Sequence, residues 1–266
     1  MLKINLPDPA PLDQIIPTDI DILLYGAGKT GKTLLAASFA HEGPVLILDT
    51  GKGSLSLKTN PDIITPELRE NIFIQKIPRY DSSARVVIPT GWAVCEATMD
   101  SLEKTGEFAG VRPRTLVLDE ATAASEMALQ AVLYAAKKSL DASSLLPVTQ
   151  PEWGSLRKRM INFILKGRGL VGINFIFITH QLYVKDEDSG AVLEILPNVV
   201  GKLAWEISAY FDETYYCRTQ PRGTSQDFML HTRPFRQAIA GSRLNLPSPL
   251  ANSYESLKEA INKVTT

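Results

Sequence analysis

The chain has 266 residues, 28 Lys+Arg against 29 Asp+Glu for a formal net charge of −1, and 44% hydrophobic residues. That length and apolar content suffice for a sizeable buried core and exclude a disordered, collagen-like or disulfide-stapled chain. Without an excess of basic residues, any nucleic-acid surface has to be a local patch.

In chain order, the opening stretch MLKINLPDPAPLDQIIPTDID has one lysine and no apolar segment behind it, so no secretory signal is expected. No apolar run approaches the roughly 18 residues of a membrane-spanning helix, and a cytoplasmic protein is expected. Residues 20–25 (IDILLY) read as a buried strand, followed by a Gly-rich turn and a helix over 32–40. Residues 45–49 (VLILD) and 72–77 (IFIQKI) predict two more strands, the latter nearer an edge. Apolar residues at helical spacing mark 92–105, residues 115–119 (TLVLD) are another buried strand, and 121–138 a strong helix. The SS, LP and QP steps in 141–154 predict a mobile loop.

An amphipathic basic helix over 155–170 leads into a buried strand at 173–179 (INFIFIT), and 182–197 reads as an exposed hairpin or loop. Three shorter strands of antiparallel character are expected at 212–219, 228–232 and 236–240, then a closing helix at 253–263. The alternation of apolar runs and helices predicts an α/β fold: a mostly parallel central sheet flanked by helices, with antiparallel strands toward the C-terminus. One domain over 1–266 is expected, its core spanning about 18–243. Cys95 and Cys217 have no partner at metal spacing and the histidines at 41, 180 and 231 are scattered, so buried thiols and no structural metal are expected.

The turn after the first strand, Gly26-Ala27-Gly28-Lys29-Thr30-Gly31-Lys32-Thr33, fits G-x-x-x-x-G-K-[ST] at every position. Its glycines allow a tight loop whose N–H groups face a phosphate, and the following helix adds its positive end. Lys32 is placed to reach the β- and γ-phosphates of ATP, and the Thr33 hydroxyl to ligate Mg²⁺. The loop lies between a buried strand and a helix, which is the context this motif requires.

Such a loop needs a second strand ending in an acid. Asp119 is the Mg²⁺ candidate and Glu120 the residue to polarise an attacking water; the alternative is that the pair caps the helix from Ala121. Asp49 ends its strand in the same way, either facing the active centre or as a turn residue. Thr179, His180 and Gln181 close the 173–179 strand; they either sense the γ-phosphate or cap the strand end. Arg157, Lys158, Arg159, Lys166 and Arg168, on or beside one helix, with Lys137 and Lys138 before the loop, could follow a DNA backbone or form a solvated face.

The ordered set GAGKTGKT, VLILDT, TLVLDE, PEWGSLRKRM and FIFITHQ, with LPNVVGK, Phe211-Asp212-Glu213 and Gly241-Ser242-Arg243 further on, resembles the short RecA-like P-loop ATPases of bacteriophages, AAA-type nucleotide-binding proteins associated with recombination and annealing. The resemblance covers roughly 18–262. It implies a RecA-like ATPase that assembles as rings or filaments, binds ATP and Mg²⁺ between subunits, and works with single-stranded DNA or with a phage or host replication or recombination protein, in the host cytoplasm. It also implies a catalytic role in trans for Arg243. Where such proteins place a lysine two residues earlier, this chain has Gly241. Where they place a catalytic glutamate past the second strand, it has Gly51, which directs the water-polarising role to Glu120. The alternative is a nucleotide-gated switch acting on a protein partner without DNA.

Overall fold

A computed structural model describes residues 19–80, 88–138 and 147–265. Its centre is one sheet in the order β10-β8-β7-β1-β5-β4-β2-β3, with β6 paired to β5 and β9 to β7. The strands are β1 (Asp21–Gly26), β2 (Val45–Asp49), β3 (Ile72–Lys76), β4 (Thr115–Asp119), β5 (Asn174–Lys185), β6 (Val192–Pro197), β7 (Glu213–Arg222), β8 (Ser225–His231), β9 (Gly241–Ser242) and β10 (Leu250–Ala251). β3, β2, β4, β5, β1 and β7 run parallel. β8 and β10 add an antiparallel edge, and β6 and β9 also pair antiparallel. The mixed α/β architecture is the one expected.

Both faces of the parallel strands are covered, which is why VLILD and TLVLD read as unbroken apolar runs. On one face Ile22, Leu24, Ile47, Val117 and Ile178 meet α1 (Lys32–Ser38) and α8 (Tyr254–Thr265) through Leu35 and Leu257. On the other, Leu23, Leu48, Leu118 and Phe177 meet α4 (Gly91–Thr105), α5 (Ala121–Ala135) and α6 (Gln150–Arg168) through Trp92, Met127 and Met160. Short helices α2 (Leu55–Thr59), α3 (Pro66–Arg69) and α7 (Leu203–Glu206) fill connections. No helix among the described residues is long and apolar enough to cross a membrane.

Three expectations are corrected. First, 150–154 is helix, not loop: α6 starts at Gln150, with a capping box between Thr149 and Glu152 and Pro151 in the first turn, where proline costs no hydrogen bond. The remainder of the expected loop falls partly on 139–146, outside the described residues. Second, β7 is antiparallel to β8 and β9, as expected, but it also runs parallel to β1. Third, 236–240 is not a strand. Arg236 is left-handed (φ 53) and only Ala238 makes isolated bridges, to Ile195 and Phe235. The expected 182–197 segment is a true hairpin, because β5 continues past the core to Lys185 and pairs with β6.

Candidate nucleotide-binding site

Parallel strands end on one side of the sheet, so the turns after β1, β4 and β2 gather there beside residues 179–181 of β5. The turn after β1 is the glycine-rich loop. Gly26 is tightly constrained: a Cβ there would run into the Cys217 carbonyl of the neighbouring β7. Lys29 (φ 62) and Gly31 (φ 84) bend the backbone into α1. The Lys32 ammonium lies inside the loop and donates to the Gly26 carbonyl at 3.0 Å, the Ala27 carbonyl at 2.6 Å and Thr30 Oγ1 at 3.3 Å. Burial lowers its pKa, opposed by the negative charges of Asp119 and Glu120.

Asp119, at the end of β4, accepts the Thr33 hydroxyl on Oδ2 at 2.9 Å, joining residues 86 apart in sequence. Burial pushes the Asp119 carboxyl up to about 6, helped by Asp49 and Glu120 and opposed by Thr33. Glu120 takes the helix-capping role considered for it. Its Oε1 caps α5 by accepting from the Ala123 N–H at 3.3 Å, while Oε2 lies 3.3 Å from His180 Nε2. The Thr50 hydroxyl holds the Glu120 backbone, donating to its carbonyl and accepting its N–H, at 2.6 and 2.8 Å. A Cβ at Gly51 would sit 3.4 Å from both Glu120 Cγ and Oε2. The Glu120 carboxylate therefore borders the place a side chain at 51 would take.

Thr179, His180 and Gln181 lie inside β5, which continues to Lys185 rather than ending at them, and of the three only His180 touches this group. The Thr179 hydroxyl is buried, 3.1 Å from the Thr122 hydroxyl, and both reach the Asn198 carbonyl at 2.9 Å. Gln181 donates to the Tyr183 hydroxyl and accepts from Tyr216 at 3.3 Å. Arg243 lies at the far end of the sheet: β9 pairs the start of β7 while the phosphate loop follows the end of β1, and Arg243 is ion-paired to Asp212 at 2.6 Å.

The basic helix is mostly neutralised. Arg157 pairs with Glu206, Arg159 with Glu96 at 3.5 Å, Lys166 with Asp100 and with Glu103 at 3.2 Å, and Arg168 with Asp21 at 3.2 Å and Asp212 at 3.6 Å. Lys158 is exposed. Lys138 pairs with Glu152 at 2.8 Å.

Asn252, which no sequence signal marks, ties the C-terminal segment to the loop by donating to the Thr30 carbonyl at 2.7 Å. Thr50, Gly53 and Ser54 also belong to the site; only the turn composition after VLILD hinted at them. Among the described residues no three or more His, Cys, Asp or Glu side chains gather to hold a metal. A hydroxyl and a carboxylate meeting beside a phosphate loop instead suit a cation that is shared with the phosphates, as Mg²⁺ is.

The family model described as AAA domain matches residues 18–244. No curated protein matches. Among solved structures, a KaiC-like protein from the hyperthermophilic archaeon Pyrococcus horikoshii OT3 is similar with a TM-score of 0.42 and 14% identity, over 82% of this chain and 80% of that one. Loop, acidic strand and matched span agree: the chain belongs to the AAA domain family of P-loop ATPases.

Proposed function

We propose that the chain binds ATP with Mg²⁺ at the 26–33 loop and hydrolyses it to ADP and phosphate, with Glu120 orienting the attacking water. The observation that carries this is the convergence of Lys32, Thr33, Asp119 and Glu120 at the ends of two strands that are not neighbours, with β5 between them. Thr33 and Asp119 are the residues to hold Mg²⁺, which when bound neutralises charge on the β- and γ-phosphates. Lys32 brings its positive charge to the same oxygens, and the N–H groups opening α1 bind the rest of the phosphate chain. Glu120, fixed by Ala123, Thr50 and His180, accepts a hydrogen bond from water as it attacks the γ-phosphorus and the bond to the leaving ADP oxygen breaks. Lys32→Ala is expected to lose binding of a fluorescent ATP analogue. Glu120→Gln is expected to keep that binding while steady-state turnover falls by about 10²-fold or more. Full turnover in Glu120→Gln would remove Glu120 from the role.

The resemblance supports a finer role: a phage protein of the host cytoplasm whose ATP-driven assembly on single-stranded DNA serves recombination or replication, with Arg243 completing a neighbour's site. A specific observation favours the second reading, a nucleotide-gated switch on a protein partner. Most cations proposed to follow DNA along α6 are already paired with carboxylates. A gel shift with single-stranded DNA at low salt, with and without ATP, separates the two. ATP-dependent binding that weakens steeply with salt supports the DNA role, and no binding supports the switch.

A further inference from the structure

Asp49 has no part in the roles above. It ends β2 in register with Asp119 across the β2–β4 pair, on the α1 side of the sheet that Ile47 and Val117 also face. The residue is only 6% exposed. Its Oδ2 accepts the Ser54 hydroxyl, while Oδ1 is shut away from solvent with no hydrogen-bond partner among the described residues.

A buried polar atom left without a partner is costly, the more so when charged. Where a native protein retains one, a bound species or a functional role is the usual reason. The surroundings indicate the class of species. Gly53, in the turn between Asp49 and Ser54, crosses the Thr33–Asp119 pair: a Cβ there would strike Asp119 Oδ2 and lie 3.1 Å from Thr33 Oγ1. The register of Asp49 with Asp119 and the approach of Gly53 to the Thr33–Asp119 pair gather the hard oxygens of these three residues at the ends of adjacent strands. Such a group of oxygens suits a small divalent cation that keeps several of its waters.

We propose that Asp49 is a third side chain of the divalent-cation site at the phosphate loop, its Oδ1 accepting a hydrogen bond from a cation-bound water and its orientation set by Ser54. The proposal rests on the loop being a Mg²⁺-nucleotide site. Partners of this outer kind are worth about 10–100-fold in metal affinity. Asp49 is a positioning residue in this account, acting on the cation through water. Gly53 is the residue that leaves room for it.

The test uses Mn²⁺ as a spectroscopic stand-in, titrated into the full chain holding a non-hydrolysable ATP analogue and followed by electron paramagnetic resonance. Affinity for the analogue in EDTA and a thermal melt serve as controls. Asp49→Asn is expected to bind the analogue in EDTA like the unaltered protein and to lose about tenfold in Mn²⁺ affinity. Ser54→Ala, which keeps the carboxylate, is expected to lose a smaller factor. Unchanged Mn²⁺ affinity in Asp49→Asn overturns the proposal and leaves the nucleotide reading standing. Failure of the unaltered protein to bind the analogue even with Mn²⁺ overturns both. If the melt shows that Asp49→Asn does not fold, Ser54→Ala decides: a loss of Mn²⁺ affinity upholds the proposal and no loss overturns it.

Discussion

Asp119 is asked to be ionised in a place that burial makes hostile to charge. Its carboxyl, ordinarily near 3.8, is pushed up to about 6 by desolvation. The folded chain therefore holds that proton more tightly than the unfolded one. The associated stability is fully present below about pH 4 and lost as the pH rises through about 6. The nucleotide-free protein is accordingly expected to melt at a lower temperature at pH 7 than at pH 5 through this group. Asp119→Asn should flatten that slope and raise the pH 7 melting temperature by about 2–4 °C, while weakening Mg²⁺-dependent nucleotide binding. Melting curves across pH with and without Mg²⁺-nucleotide check both halves. The residues of this site were unequally legible. Gly26–Thr33 could be read directly, because that chemistry is written in consecutive backbone turns. Asn252 reaches Thr30 across 222 residues, and Ser54 meets Asp49 only because the turn folds back; neither leaves a local pattern.

At the scale of elements, α6 shows how close packing overrides helix propensity. Gly167 lies in its last turn, where a Cβ would stand 2.7–2.8 Å from the Phe175 ring on β5. Alanine is the better helix former by about 1 kcal/mol, yet Gly167→Ala is expected to destabilise by about 1–3 kcal/mol through overpacking. Chemical denaturation measures it, and an unchanged or higher midpoint would contradict the packing argument. The same helix shows why a helix boundary escapes local sequence. Pro151 and the polar residues before it look like loop, but in the first turn they cap and start a helix. Strand direction was equally hidden. The buried residues opening β7 (ETYYC) have the same pattern whether their neighbour runs parallel or antiparallel, and contact with β1 decided it.

For the whole molecule, Arg243 is the instructive residue. It lies at the opposite end of the sheet from its own phosphate loop and is held by Asp212, so any contact it makes with nucleotide has to be with a neighbouring copy. Arg243→Ala is then expected to lower turnover only at protein concentrations where sizing in ATP shows oligomers. Mixing it with Lys32→Ala chains should recover part of the activity, because one copy supplies the loop and the other the arginine. Full activity of Arg243→Ala in the oligomer would end this role. By itself the sequence determined the phosphate loop, the acidic strand and the layered α/β class, since each follows from short-range periodicity and local backbone chemistry. Only the tertiary structure decided that most of the α6 cations are neutralised, that the Glu120 carboxylate borders the place a side chain at 51 would take, and that Asp49 stands beside Asp119. Each of these depends on partners brought together by strand order and register, which adjacent residues do not encode.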